Sequence, residues 1–211
     1  MNVEILVADA SHVTYAEEIC SLLEVSAQQR GTGIARRSPD YIRKKIANSH
    51  AVIALSGDRL AGFCYIEIWS HGQYVANSGL VVDPAFRQSG LARTIKRRIF
   101  DLAREKYPQA RVFGITTSLA VMKINSELGY RPVTFSELTQ DEDFWNGCQS
   151  CPNYDILMRC GRRMCLCTGM LAPSKAEETQ RIEENLNLVE LLLKSSPPAE
   201  EKSSETVLDF Y

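Results

Sequence analysis

The run from Leu80 to Lys106 restricts the fold of this 211-residue chain more than any other segment, because strand, turn and amphipathic helix follow one another without a break. Leu80-Val81-Val82 reads as the end of a strand, and Asp83-Pro84 stops it. Leu91, Ile95, Ile99, Leu102 and Ala103 then recur at helical spacing with basic residues between them. Arg87-Gln88-Ser89-Gly90-Leu91-Ala92 thus falls at a helix amino terminus, where free N–H groups and the positive dipole end favour a phosphate. Gly90 and Ala92 leave room for close approach. Arg93, Lys96 and Arg97 add long-range attraction for a polyanionic ligand. A single glycine in such a turn also suits an ordinary helix entry.

Elsewhere, hydrophobic periodicity predicts strands near 2–7, 51–56, 60–69, 74–83, 111–116 and 130–135. It predicts helices near 13–25, 39–47, 118–128 and 174–194, and an extended segment from 154 towards 168. Gly57-Asp58 and His71-Gly72 mark turns between strands. The order implies an α/β (α+β) fold, a mixed and largely antiparallel central sheet flanked by helices. One composition shift follows Pro173, giving a domain over 1–173, an amphipathic helix over 174–194 and a polar tail over 195–211 expected to be disordered. Ile182, Leu186, Val189 and Leu193 form one stripe of that helix, suited equally to its own domain or to a homodimer contact.

Composition narrows the function. Residues 174–211 hold nine acidic and four basic side chains, −5 within a whole-chain charge of −2, so the body carries +3. A mildly basic body suits an anionic small ligand, and it has no Lys/Arg-rich run with interleaved aromatics of the kind nucleic-acid binders use. No stretch approaches the roughly 20 apolar residues of a membrane span, and the amino terminus lacks a signal-peptide pattern. The chain is therefore expected to be soluble and cytoplasmic, with its seven cysteines as reduced thiols or metal ligands.

The segment V-V-D-P-x-x-R-x-x-G-L-A, followed by a helix, a strand and an S-E-L-G-Y-R-P turn, resembles the GCN5-related N-acetyltransferase superfamily. The resemblance implies a sheet with splayed central strands and acyl-CoA, acetyl or succinyl, as cosubstrate. It assigns the pantetheine arm to the strand at Leu80, Val81 and Val82, and the pyrophosphate to Arg87, Gln88, Ser89, Gly90, Leu91 and Ala92. With the flanks included, the chain is most like the acyltransferase domain of bacterial N-acetylglutamate synthases. The shared features are Gly33 to Ser38, Val82 to Arg87, Ile115-Thr116-Thr117, Gly129 to Leu138 and Asn153-Tyr154. No amino-acid-kinase-like domain is expected before them.

Direct attack of a neutral amine on the thioester needs a base for the ammonium, polarisation of the carbonyl and an acid for the thiolate. Asn125 stands where many relatives carry the acidic tyrosine, and it either donates a hydrogen bond to the sulfur or is structural, with Tyr130 and Ser118 as fallback donors. Ala76 stands where an acidic base is expected, which leaves the base open between Glu67 on the neighbouring strand, drawing the proton through a water, and His71. Arg36, Arg37 and Arg159 fall where the resemblance places groups that hold an acceptor's carboxylates, a task suited to bidentate guanidinium.

Cys148-x2-Cys151 and Cys165-x-Cys167 have spacing compatible with zinc. A C-x-C pair in a strand, however, sets both side chains on one face about 7 Å apart, which equally suits free thiols in a core. No metal is assigned. The expected activity is acyl transfer to the amino group of a small acidic amino acid, glutamate at the start of arginine synthesis. The alternatives are an N-acetyltransferase for another small amine, a non-catalytic acyl-CoA sensor and a metal-dependent interaction module.

Overall fold

The computed structural model describes residues 2–30 and 36–195. Gly33, Ile34 and Ala35 of the 33–38 segment, and residues 196–211 of the expected tail, lie outside the described residues. Contacts divide the chain into a unit ending at Glu177 and a second beginning at Glu178. Among the described residues no helix is long and apolar enough to cross a membrane.

Seven strands form one sheet: β1 (Glu4–Val7), β2 (Ala51–Ser56), β3 (Arg59–Trp69), β4 (Tyr74–Val82), β5 (Arg111–Thr116), β6 (Arg131–Val133) and β7 (Thr168–Ala172). Their order is β1-β2-β3-β4-β5-β7-β6. Every neighbouring pair is antiparallel except β4 and β5. A parallel pair needs a long crossover, and helix α3 (Leu91–Lys106) supplies it. The expected mixed, largely antiparallel sheet is what forms.

Period-two alternation sends β3 residues to opposite faces. Phe63 and Tyr65 pack with Ile19 and Leu23 of helix α1 (Ala16–Arg30) and with Ile42 and Ile46 of helix α2 (Pro39–Ala47). On the same face, Ala76, Phe113 and Leu171 pack with Trp145 of helix α5 (Glu142–Asn146) and Leu157 of helix α6 (Tyr154–Arg159). Cys64, Ile66, Val75 and Val112 face the other way, onto Ile95, Ile99 and Phe100 of α3. The first face is thus covered by two separate helical groups, and the cavity opens between them.

The sheet is weakest as a continuous structure at its centre. β4 and β5 pair only through Tyr74–Ala76 and Arg111–Phe113, and beyond those residues they separate, as the splayed arrangement requires. A register shift between Phe63 and Tyr65 bends β3 against β4 opposite this point. Gly79 has φ +64°, and a Cβ there would meet the Tyr65 ring at 2.3 Å. Only glycine lets β4 pass so close to that ring.

Two local expectations are overturned. Residues 154–168 are not extended: α6 occupies Tyr154–Arg159, and the strand begins at Thr168. Tyr154 and Leu157, three apart, both turn into the core, which is helical spacing over too few turns to stand out in sequence. Cys165 and Cys167 therefore lie in the bend before β7, where the Cys167 amide donates to Cys165 Sγ at 3.2 Å. The helix between β5 and β6, α4 (Leu119–Glu127), and the final helix α7 (Lys175–Ser195) form where helices are predicted.

Lys96 is the unexpected member of the α3 core. It is only 2% exposed, and its Nζ lies 5.4 Å from the centroid of the Tyr130 ring. Burial pushes its ammonium down from 10.5 to about 8. A buried cation without a carboxylate costs stability. Lys96→Met is expected to raise the unfolding free energy by roughly 1–3 kcal/mol at pH 7. Because the folded-state value lies below the unfolded one, the gap should shrink as pH rises from about 8 towards 10.5, as checked by denaturant titrations across that range.

Candidate active site

The separation of β4 and β5 opens a cavity of about 510 Å³, within the usual size of a small-molecule site. Asn77, Ser78, Gly79 and Leu80 line one lip, and Gly114, Ile115, Thr116 and Thr117 the other. Past Ala76 and Phe113 the facing edges are unpaired with each other, so strand backbone borders the cavity. Leu80 lines the cavity, while Val81 is buried on the α1–α2 side and Val82 packs on the α3 side.

Beyond Leu80 the chain turns into α3. Gln88 and Gly90 both have positive φ, +64° and +81°. Gly90 is the N-cap and has no side chain with which to cap the helix. The first helical bonds run from the Arg93 and Thr94 amides to the Gly90 carbonyl, 3.0 and 3.3 Å, leaving the Leu91 and Ala92 amides ahead of the ladder. The Arg87 guanidinium reaches the Val82 carbonyl and Gln29 Oε1, each at 3.4 Å, and Ser89 Oγ donates to the Phe86 carbonyl at 2.7 Å. The Ala92 side adds no bulk. These six residues form a compact, amide-rich turn at the start of α3.

On the first face of the sheet, Glu67 is only 5% exposed and forms the hub of a polar network. It accepts hydrogen bonds from the Tyr41 and Ser78 hydroxyls and lies 3.6 Å from the Arg37 guanidinium. Arg37 Nε donates to the Tyr65 hydroxyl at 2.7 Å. Burial by itself would lower the Arg37 pKa, but Tyr65 and then Glu67 outweigh it and raise the value. Burial first, and then the neighbouring Glu67 carboxylate, push the Tyr41 and Tyr65 phenols up, so both remain neutral donors. All five side chains line the cavity.

Not every expected site residue is there. Arg36 borders the cavity mouth but is exposed and pairs with Glu24 at 3.6 Å. Arg159 is absent from the lining: its short helix turns it to solvent, where it pairs with Asp155 four residues back at 2.9 Å. Asn125 also misses the cavity lining. It is buried beneath α4, with Nδ2 directed at Met170 Sδ, 3.5 Å away, so its expected role as donor to the sulfur is corrected. Ser118 caps α4 by accepting from the Val121 amide, and Tyr130 is buried under α3, its hydroxyl accepting from Asn77 Nδ2 at 3.0 Å. His71 borders a separate shallow cavity with Ser70, Gly72 and Asp141.

The four cysteines do meet, since Cys148, Cys151, Cys165 and Cys167 all line the cavity. Their sulfurs are not gathered as metal ligands: among the described residues no group of three or more His, Cys, Asp or Glu is placed to hold an ion. Burial and the neighbouring thiols push the Cys148 pKa up to about 11.

Sequence reading missed Tyr41 and Ser78, and it gave Lys96 only a long-range attraction for the ligand. Ser78 is the one the strand alternation could have found, since β3–β4 register sets it diagonally from Glu67. Lys96 is read from sequence as solvent-facing, yet Lys96, Ile99 and Ala103 are three and four apart, the buried stripe of α3.

A model of the acetyltransferase (GNAT) family matches residues 21–122. The thialysine N-epsilon-acetyltransferase of Caenorhabditis elegans is 32% identical over 111 residues, which cover 50% of this chain and 68% of that protein. N-acetylglutamate synthase from Neisseria gonorrhoeae, solved with coenzyme A and N-acetyl-glutamate, is similar at a TM-score of 0.59 and 18% identity, over 82% of this chain and 35% of that one. The chain thus spans about a third of the length of that synthase. Rv2747 from Mycobacterium tuberculosis, solved with CoA, gives a TM-score of 0.57 at 17% identity, over 81% and 98% of the two chains. At those identities the structures establish a shared fold, and the closer sequence likeness carries the classification: the chain belongs to the GNAT acetyltransferase family.

Proposed function

We propose that this protein transfers an acyl group from acyl-CoA to the amino group of a small amino acid, with an acidic one such as glutamate preferred. The observation that carries this reading is one cavity joining the split in the sheet to the buried Glu67 network. Leu80 through Val82 would accompany the pantetheine arm, and Arg87 through Ala92 the diphosphate.

In this reading the acceptor's ammonium gives a proton to Glu67, directly or across the Ser78 hydroxyl that already donates to it. The neutral amine attacks the thioester carbonyl, a C–N bond forms, and the tetrahedral intermediate collapses by breaking C–S. Arg37, held by Tyr65 and beside Glu67, sits where an acceptor carboxylate can pair with its remaining N–H groups, and Arg36 attracts that carboxylate at the mouth. A lysine-like acceptor is the second reading. Asp143 and Glu67 also line the cavity, and the Caenorhabditis relative is named for an amine of that kind.

Thiol release from acetyl-CoA and succinyl-CoA, measured against a panel of acidic, neutral and basic amino acids, tests the choice. Fastest release with glutamate or aspartate supports the acidic acceptor; fastest release with lysine or thialysine replaces it with the second reading. CoA thioester binding without turnover on any amine would mark a sensor. Glu67→Gln is expected to lower kcat by about 100-fold or more at pH 7. Joint replacement Arg36→Ala and Arg37→Ala should raise KM for the acidic acceptor at least about tenfold while leaving acyl-CoA affinity alone; an unchanged KM refutes the carboxylate clamp.

The cradle gives its own prediction. A Cβ at residue 90 meets nothing within 4 Å, so Gly90→Ala tests backbone conformation alone. Holding alanine at positive φ costs about 1–2 kcal/mol, and titration calorimetry should show acetyl-CoA binding weakened by roughly tenfold.

A further inference from the structure

We infer that Lys96, reaching the cavity through the gap between β4 and β5, is the proton donor to the leaving CoA thiolate. This rests on the acyl-CoA reading above and supplies the acid that Asn125 does not.

The placement argues for it first. Lys96 belongs to the α3 side of the sheet, whereas Glu67, Tyr41 and Tyr65 belong to the other. Nevertheless Lys96 lines the same cavity as they do. A side chain from one face can border a cavity on the other only where the sheet is parted. Beside it, on the β4 lip, Asn77 is buried with Nδ2 bonded to Tyr130 and with Oδ1 unpartnered among the described residues. Base and acid would thus reach the thioester from different sides, the base at the incoming amine nitrogen and the acid at the departing sulfur.

Second, no structural role accounts for a lysine here. Among the described residues no carboxylate pairs with Nζ and no group accepts a hydrogen bond from it. The Tyr130 ring face at 5.4 Å replaces only part of an ammonium's hydration. Neighbouring positions on that stripe, Ile95 and Ile99, are fully buried aliphatics, which shows what packing alone would select. A destabilising group kept in a cavity wall is the pattern of a functional site.

Third, the surroundings suit the chemistry. The titratable groups facing Lys96 are Cys64 on β3 and Tyr130 before β6. Burial raises Cys64 to about 11 and moves Tyr130 well above its usual value, so both stay neutral at neutral pH. Across the cavity stand Glu67, paired with Arg37, and the neutral phenols of Tyr41 and Tyr65. Lys96, held near 8, is close to the value of about 8.5 for a cysteine thiol and no higher than that of a less acidic alkyl thiol, so the proton moves to sulfur with little driving force against it. The step balances: the C–N bond forms and the attacking nitrogen sheds its second proton to water, C–S breaks with its electron pair kept on sulfur, and the Nζ–H proton joins that sulfur; once product leaves, neutral Lys96 regains a proton from solvent and Glu67 gives up the one it took.

The test uses the full chain and its best acceptor from the amino-acid panel. Lys96→Met should lower kcat about 100-fold, with acetyl-CoA affinity by calorimetry changed less than about threefold. Lys96→Arg keeps the charge but holds its proton too tightly to give up, so it should lose a similar factor. The wild-type rate should fall above pH of about 8, and that limb should be missing from the Lys96→Met profile. Circular dichroism and thermal melts confirm folding, and Lys96→Gln replaces the methionine variant if that one does not fold. A kcat within about threefold of wild type in either neutral variant, or recovery by arginine, overturns the assignment of the acid while the transferase reading stands. Failure of wild-type protein to release thiol with every acceptor overturns the transferase reading, and the proton donor with it.

Discussion

The parting of β4 from β5 after three paired residues is the constraint on which everything else in the first unit depends. A sheet that stayed paired to its strand ends would bury both edges and leave no route between its faces. By opening, it exposes strand backbone along two lips and lets side chains from both helical layers border one space. The bend in β3, the positive φ of Gly79 and the close Tyr65 ring lie directly across from the opening and keep β4 on its diverging path. The bulk of Phe113 and Trp145 on one side and of Phe63 and Ile42 on the other holds the two halves apart.

Much of this architecture is legible in the amino-acid sequence. The strand–turn–helix at 80–106 is written in helical periodicity plus a proline and a glycine, strong local signals that tertiary packing does not override. The strands at 51–56, 60–69, 74–82 and 111–116 follow from alternation and β-branched content. Glu67 can be placed on a wall because it alternates with Tyr65 and Trp69. What escapes has a common cause. Asn125 and Arg159 take their expected roles from position within a resemblance, but the rotation of a helix decides where a side chain ends up, and α4 and α6 turn these two away. Lys96 escapes because a lysine on an amphipathic helix is read as solvent-facing unless the register of the buried stripe is followed residue by residue. The helix at 154–159 is too short for its period to separate from a strand's.

The acceptor side shows how one buried carboxylate is kept in a low-dielectric wall. Glu67 has two hydroxyl donors and one guanidinium at hand, and a carboxylate offers about four acceptor positions, so capacity remains for an incoming ammonium. Arg37 is shared between the carboxylate and a phenol instead of forming a closed fork with either. On the proposed reading, an acceptor bearing both an amine and a carboxylate would meet complementary charges already set side by side, with little reorganisation needed on entry.

Helix α3 holds the Gly90 turn at its start and Lys96 six residues further on, a separation of roughly 9 Å along the axis at the standard rise. A helix cannot stretch as a loop can, so the distance from the turn to the cavity wall is built into the rod. On the proposed reading, a nucleotide end seated at the turn would take no part in bond making, yet it would be the datum from which the depth of the acyl group is measured. α3 is in this sense a gauge, and carriers sharing the thiol arm without the diphosphate would enter the same groove with nothing to stop them at the right depth.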